Sequence, residues 1–164
     1  MSDTPSFAIT IASPALDRWE ELLGVIRASF AYMDGVIDPP SSAHKLTADL
    51  LREKASAETC FLAKAAEANA IIGCAFLADH GDRFYLGKLA VLPSWQGKGV
   101  GRALMMAVEA YARQAAKPVI ELQTRVELTD NHRAFAALGF AETGRTAHAG
   151  YDHPTSVTMR KAIA

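Results

Sequence analysis

The segment PSWQGKGVGRALMM (93–106) has the residue types and the spacing of a phosphate-binding loop. Its three glycines, Gly97, Gly99 and Gly101, lie between an apolar run and residues that repeat at helical spacing. The N-terminus of a helix exposes unpaired backbone N–H groups and a partial positive charge. Glycine lets the backbone approach a ligand closely and adopt φ angles that other residues resist. A strand, a glycine turn and a helix in this order therefore predict a site for phosphate.

Three patterns of phosphate-binding loop compete for this segment. The P-loop of nucleotide-binding proteins needs a Gly-Lys-Ser/Thr, which the sequence lacks. The dinucleotide fingerprint needs a third glycine where Arg102 stands. The pattern that remains is Gln-x-x-Gly-x-Gly, over residues 96–101. By itself it also fits an ordinary strand-to-helix turn, so the surrounding elements decide between the two interpretations.

The elements that would position this loop alternate along the chain. Apolar runs predict seven strands, at 7–12, 59–66, 70–78, 83–92, 119–124, 140–148 and 155–163. Helical spacing predicts four helices: one from Ser13 and Pro14 to Phe30, one over 43–54, one after the glycines that stops before Lys117, and one that Thr129 or Asp130 caps and that ends at Gly139. We find no internal repeat or linker and predict one domain of mixed α/β type over residues 1–164.

Composition excludes several classes of function. The 164 residues are 50% hydrophobic and 21% charged, and the net charge is -1, so no overall field favours nucleic acid or an anionic membrane. Cys60 and Cys74 lie inside apolar runs, which predicts buried thiols in a reducing compartment and no disulfide scaffold. The first residues carry acids and show neither a signal peptide nor a membrane span, so we expect a cytoplasmic protein.

Two segments, YLGKLAVLPSWQGKGVGRALMMAVEAYA (85–112) and LTDNHRAFAALGF (128–140), resemble the GCN5-related N-acetyltransferase (GNAT) family. They look like the central strand, pyrophosphate loop and helix of that family, followed by its later helix with an Asn near the start and Gly-Phe at the end. The resemblance implies a central mixed, mostly antiparallel sheet of about seven strands. It also implies flanking helices and a sheet that splays at its central strand.

The resemblance also implies where acetyl-coenzyme A binds. The strand residues Leu89, Ala90 and Val91 would lie at a bulge and pair with the pantetheine arm, and would offer an N–H to the thioester oxygen. Backbone groups of the loop would hold the pyrophosphate, and this loop consists of Gln96, Gly97, Lys98, Gly99, Val100, Gly101 and Arg102. The charges of Lys98 and Arg102 would lie at its rim, or both side chains are simply solvated. Asn131 would lie near the pantetheine or the sulfur, or would cap its own helix. The family needs no metal.

The candidate catalytic residues are fewer than the candidate cofactor-binding residues. Many family members have a tyrosine as general acid where this sequence has Phe135. A phenyl ring donates no proton, so Phe135 would instead pack against the sulfur end of the cofactor. Tyr151, in the loop 146–156, is a candidate for the missing hydroxyl, or a tyrosine packed at the sheet edge. The same loop carries two histidines and an aspartate, and we interpret it as facing the substrate instead of holding a metal. Glu127, four residues before Asn131, is the candidate general base, or an acid that the helix dipole favours.

The acceptor would bind near the segment AYMDGVIDPP (31–40), where Tyr32, Asp34 and Asp38 suit a cationic amine. The resemblance implies that an acetyl group moves from acetyl-coenzyme A to a primary amine, of a small molecule or a peptide, by direct attack in a ternary complex. The alternative that stays open is a non-catalytic module that binds or senses coenzyme A. At the level of the family, a homodimer is one expected assembly.

Overall fold

A computed structural model describes residues 6–13 and 15–163 of the protein. Seven strands form one sheet in the order β1-β2-β3-β4-β5-β7-β6. They are β1 (Phe7–Ile11), β2 (Thr59–Ala65), β3 (Ile71–Asp79), β4 (Phe84–Val91), β5 (Val119–Arg125), β6 (Ala141–Thr146) and β7 (Ser156–Ala162). Only β4 and β5 pair in parallel among these strands. The mixed, mostly antiparallel sheet that the sequence predicts is therefore confirmed.

Four α-helices cover this sheet: α1 (Trp19–Phe30), α2 (Ala48–Ala57), α3 (Val100–Gln114) and α4 (Thr129–Ala137). Helix α3 packs with Leu104, Met105 and Val108 against one face of the sheet. Helix α1 packs with Leu22 and Ile26 against the other face, where α2 adds Leu51. In the described residues no helix is long and apolar enough to cross a membrane.

The starts of three helices differ from the sequence prediction. Helix α1 begins at Trp19 and not at Ser13. The Ser13 hydroxyl instead accepts a hydrogen bond from the Ala15 N–H at 3.1 Å and closes a separate turn before the helix. Pro14, the other residue of the predicted helix start, lies outside the described residues. A short 3₁₀ turn, Ser42–Lys45, replaces the expected start of the second helix. Helix α2 instead begins after Thr47, whose Oγ1 accepts a hydrogen bond from the Leu50 N–H. Helix α4 begins after Leu128 without a side-chain cap.

Cys60 and Cys74 are both buried and free, on the sheet face that α1 and α2 cover. Burial raises the pKa of the Cys60 thiol to about 12 and raises that of Cys74 as well. Both thiols are therefore protonated at neutral pH and act as small apolar core residues, as the sequence predicts.

A splay between β4 and β5 is the feature of the sheet that matters for function. The two strands pair only where Phe84–Leu86 of β4 lie beside Ile120–Leu122 of β5, although both strands continue beyond these residues. The rest of β4 pairs with β3 alone. A wedge therefore opens between the ends of two adjacent strands, and it confirms the splayed sheet that the resemblance implies.

A β-bulge lies on β4 beside this wedge. Cys74 pairs with Ala90 and Phe76 with Gly87, so that Lys88 and Leu89 together oppose one residue of β3. Lys88 has a φ of +50°, which is uncommon for a residue with a side chain. The bulge thus begins one residue before Leu89–Val91, the segment in which the family resemblance implies it. Close packing holds this register, because a Cβ on Gly73 would lie 2.8 Å from the Ala90 carbonyl oxygen.

Candidate active site

The wedge between β4 and β5 is the mouth of a cleft of about 810 Å³. Its walls come from the end of α1, the loop that follows it, the splayed halves of β4 and β5, helix α4 and the loop between β6 and β7. One end reaches the start of α3, where a smaller cavity of about 280 Å³ shares Gln96, Gly101 and Arg102 with the cleft. The cleft therefore has a glycine-loop end and an opposite end formed by the loop after α1.

The glycine-loop end has the backbone geometry of an anion site. Gly97 and Gly99 have φ values of +76° and +85°, so these two positions need glycine. The first hydrogen bond of α3 runs from the Ala103 N–H to the Gly99 carbonyl, which leaves the N–H groups of residues 100–102 without a partner inside the helix. No heavy atom lies within 4 Å of a Cβ built on Gly97 or Gly99. This open cradle fits a pyrophosphate group.

Side chains around this loop separate into two groups. Gln96 Nε2 donates to the Val91 carbonyl at 3.3 Å, and Arg102 lines both cavities. The Lys98 ammonium lies 5.4 Å from the centre of the Trp95 ring and does not line the larger cleft. Gln96 therefore ties the loop to the central strand, whereas Lys98 covers an aromatic ring at the surface.

On the central strand, Leu89 and Val91 line the cleft, whereas the Ala90 side chain packs into the core beside α1. The Val91 N–H donates to the Ser29 hydroxyl at 3.1 Å. Ser29 is buried on the inner face of α1 and lines the cleft. This serine was not identified as a site residue from the sequence. The side chains of Leu89 and Val91 thus line the cleft, while Ser29 and Gln96 engage the Val91 N–H and carbonyl.

Helix α4 contributes Asn131 and Phe135 to the cleft wall. Asn131 Nδ2 donates to the Tyr32 hydroxyl at 3.1 Å, which joins α4 to the loop after α1. The Asn131 side chain does not cap its own helix. Phe135 packs edge-to-face on Phe140, with ring centres 6.0 Å apart. The structure therefore brings Tyr32, Asn131 and Phe135 together with the glycine loop.

Four other residues singled out in the sequence do not line this cleft: Glu127, Tyr151, Asp34 and Asp38. A Glu127 oxygen accepts a hydrogen bond from the Asp38 N–H at 3.0 Å, and the Tyr151 hydroxyl donates to the Asp38 carboxylate at 2.5 Å. This hydrogen bond raises the pKa of Tyr151. The carboxylate of Asp34 pairs with His44 at 2.7 Å. In this structure, Glu127 and Tyr151 hold the loop that forms one wall of the cleft.

His148 is a functional candidate that sequence analysis did not single out. It lines the cleft, and its backbone N–H and ring Nδ1 both contact the Thr155 hydroxyl oxygen, which itself donates to the Thr146 carbonyl at 3.4 Å. Where the Thr155 hydroxyl donates to the Thr146 carbonyl, Nδ1 carries the proton and Nε2 keeps a free lone pair; where the hydroxyl donates to Nδ1, Nε2 carries the proton. Burial and then the charge of Arg125 lower the pKa of His148. The imidazole is thus neutral at pH 7.

The other histidine of this loop, His153, is exposed and pairs with the neighbouring Asp152 at 2.9 Å. Across residues 6–13 and 15–163, no three His, Cys, Asp or Glu side chains are grouped as metal ligands. The loop between β6 and β7 therefore contributes to the cleft through one imidazole, that of His148.

A splayed sheet with an uncapped, glycine-led helix beside the splay defines a protein that binds a phosphate-bearing ligand across its central strand. The acetyltransferase (GNAT) family model matches residues 18–140, and the chain belongs to this family. This membership confirms the family, the fold and the enzyme class, an acyltransferase, that the sequence predicts.

Similar proteins include an aminoglycoside N(6')-acetyltransferase type 1 from Stenotrophomonas maltophilia. It is 47% identical over 58 residues, which are 35% of this chain and 38% of that relative, so the match spans little more than a third of the relative's length.

Several solved structures have the same fold at low identity. A GNAT family acetyltransferase from Staphylococcus aureus superposes with a TM-score of 0.76 at 15% identity, over 97% of this chain and 100% of that one. PaiA N-acetyltransferase from Thermoplasma acidophilum, in complex with coenzyme A, has a TM-score of 0.72 at 18% identity, over 96% and 99%. A family member from Elizabethkingia anophelis with acetyl-CoA bound has a TM-score of 0.66 at 16% identity, over 98% and 99%.

Proposed function

We propose that this chain acts as one acetyltransferase domain, which transfers the acetyl group of acetyl-coenzyme A to a primary amine in a ternary complex. The observation that carries this proposal is the wedge between β4 and β5, which connects the unpaired N–H groups at the start of α3 to a wider, open cleft that the loop after α1 and helix α4 also line. Family membership supports the reaction type, and the two ends of one cleft suit two substrates.

Acetyl-coenzyme A supplies the activated acetyl group as a thioester. The N–H groups of Val100, Gly101 and Arg102 would hold the pyrophosphate, with the Arg102 side chain adding charge. The edge of β4 at Leu89, where β5 no longer pairs with this strand, would pair with the pantetheine arm as an added strand does. Asn131 and Phe135 would border the arm from α4.

His148 is the general base in this proposal. Its Nε2 accepts the proton that the amine loses as its nitrogen bonds to the acetyl carbon and the carbon–sulfur bond breaks. This step requires the tautomer in which Nδ1 donates to the Thr155 hydroxyl oxygen and Nε2 carries the lone pair, and the lowered pKa of His148 favours the neutral imidazole. Glu127, the candidate base named from the sequence, is the second candidate. It ranks behind His148 because its carboxylate accepts a hydrogen bond from the Asp38 N–H and does not line the cleft.

Tyr151→Phe tests whether the Tyr151 hydroxyl protonates the departing thiolate. The sequence-based hypothesis predicts about a hundredfold loss of kcat for one positioned proton donor. Because the hydroxyl is bonded to Asp38, we instead expect kcat to change by less than about tenfold, the size of one hydrogen bond. The measurement is steady-state turnover at saturating acetyl-coenzyme A. A hundredfold loss with an unchanged melting temperature would make Tyr151 the acid.

The proposed function is tested by the release of free thiol from acetyl-coenzyme A in the presence of a panel of primary amines. We expect amine-dependent release that is saturable in the acceptor, and mass spectrometry should show the acetylated amine. Calorimetry with coenzyme A, run in parallel, shows whether the protein is folded and competent to bind. Tight coenzyme A binding without turnover of any amine would favour the alternative, a module that binds or senses coenzyme A.

A further inference from the structure

The charged residues that line the cleft all carry the same sign. They are Lys54, Lys88, Arg102 and Arg125, and none of the described lining residues is an aspartate or a glutamate. Arg102 belongs to the glycine-loop end, which the smaller cavity shares. Three cations therefore belong to the part of the cleft that the pyrophosphate loop does not explain.

Lys88 is the cation nearest the proposed reaction centre along the chain. It sits in the β4 bulge, directly before the segment Leu89–Val91. Its ammonium group donates to the hydroxyl of Ser42 at 2.8 Å, and it forms no salt bridge with any described residue. Burial lowers its pKa, and the charges of Lys54 and Arg125 add to that effect. An ammonium in this position is destabilised unless an anion joins it.

In the part of the cleft beyond the pyrophosphate loop, Arg125 also lacks a carboxylate partner among the described residues. Its guanidinium donates to the backbone carbonyls of Pro39 and Pro40, at 2.9 and 3.2 Å. These neutral acceptors leave its charge uncompensated. Lys54 differs, because it forms an ion pair with Glu58 at 2.7 Å. The unbalanced positive charge of the cleft thus comes from Lys88 and Arg125.

The carboxylates of the surrounding loops are engaged elsewhere. Asp34 pairs with His44, Asp38 accepts from Tyr151, and Glu127 accepts from the Asp38 N–H. None of the three lines the cleft. In contrast, the Thr124 hydroxyl, buried at the cleft wall, has no hydrogen-bond partner among the described residues. The cleft lining therefore offers hydrogen-bond donors and cations to an acceptor, whereas the carboxylates that would attract a polycation lie outside this lining.

We propose that the acceptor amine carries an anionic group, a carboxylate or a phosphate, within a few bonds of its nitrogen, and that Lys88 and Arg125 bind this group. The proposal rests on the proposed function and names its substrate class. Charge-assisted hydrogen bonds would supply the affinity. The same positive field would favour the neutral form of the attacking amine, because like charges lower the pKa of an ammonium group. An acceptor of this class differs from a cationic amine, which Asp34 and Asp38 suggested in the sequence.

Matched acceptors that differ in one charge test the proposal. We expect kcat/KM for glycine, alanine and phenylalanine to exceed that for their amides by at least about tenfold. Phosphoethanolamine against ethanolamine separates phosphate from carboxylate as the anion. Spermidine is the polycation, which should be the poorest acceptor. Lys88→Gln should reduce the preference for the anionic member of each pair to near one, while Lys64→Gln, which removes a charge from β2 outside the cleft, should preserve it.

Binding provides a readout that does not depend on turnover. N-acetylated products of the preferred acceptors should bind to the protein in the presence of coenzyme A, measured by calorimetry, and Lys88→Gln should weaken this binding by at least about tenfold.

Turnover of amides or spermidine as efficient as that of the anionic acceptors would overturn the inference and leave the proposed function intact. If no amine in any pair is acetylated while coenzyme A binds, the proposed function fails. In that case, calorimetry on the wild type and on Lys88→Gln would still measure directly whether anion binding depends on Lys88. Equal preference in the wild type and in Lys88→Gln would remove Lys88 from the acceptor site.

Discussion

His148→Gln is expected to lower kcat by about a hundredfold, the lower end for the loss of one positioned general base. The reason is the position of the imidazole in the cleft wall, with Nδ1 bonded to Thr155 and Nε2 free. Glutamine keeps a polar side chain at this site but accepts no proton at neutral pH. The affinity for coenzyme A should change little, because residue 148 lies in the loop between β6 and β7 and does not line the glycine-loop cavity.

The role of His148 as general base also predicts how kcat depends on pH. Only the neutral imidazole accepts a proton, so kcat should fall as the pH drops through the pKa of His148. Because burial and Arg125 lower this pKa from its ordinary 6.5, the acidic limb should lie below pH 6.5 in the wild type. His148→Gln should remove the limb.

His153→Gln is the matched control, since this second histidine of the same loop is exposed and outside the cleft lining. It should keep both the rate and the limb. An acidic limb that persists in His148→Gln would assign the base to another group, with Glu127→Gln as the next variant to measure.

Gly101→Val is expected to weaken coenzyme A binding by about a hundredfold while the fold stays intact. Gly101 lies in the first turn of α3 and lines both cavities, so a branched side chain there would occupy the space in front of the unpaired N–H groups. Losing one or two hydrogen bonds to a charged phosphate costs about 1.5–3 kcal/mol each. A Cβ at this position meets only the Val91 side chain, at an ordinary 3.8 Å, so the folded protein accommodates it. Calorimetric titration with coenzyme A is the measurement.

The control for this variant is Ala110→Val, which places the same side chain at an exposed position of the same helix. It measures the effect of valine on helix stability and should leave coenzyme A affinity unchanged. Gly99→Val is a poorer test, because its φ of +85° strains any residue with a side chain and lowers stability together with affinity. Unchanged affinity in a folded Gly101→Val protein would separate the glycine loop from coenzyme A binding.

Two of the boundaries that differ from the sequence prediction have different causes, one a local hydrogen bond and the other a contact between strands. Ser13 and Pro14 look like a helix start, yet the Ser13 hydroxyl closes an earlier turn and α1 begins at Trp19. The β4 bulge begins at Lys88 because the register of β3 against β4 depends on the close approach of Gly73 to the Ala90 carbonyl. The position of a bulge depends on which residue of the neighbouring strand lies opposite, and the apolar pattern of β4 alone does not contain this information.

The sequence by itself determined the glycine loop, the order of strands and helices, the buried thiols and the family. These properties depend on residues that are contiguous or periodic, so local spacing is enough to predict them. Only the tertiary structure decided which side chains share the cleft. Lys88, Arg125 and His148 come from β4, β5 and the loop between β6 and β7, and they converge because β4 and β5 splay and β7 returns beside β5. Charge and proton affinity at this site depend on that convergence, since both are set by neighbours that are distant along the chain.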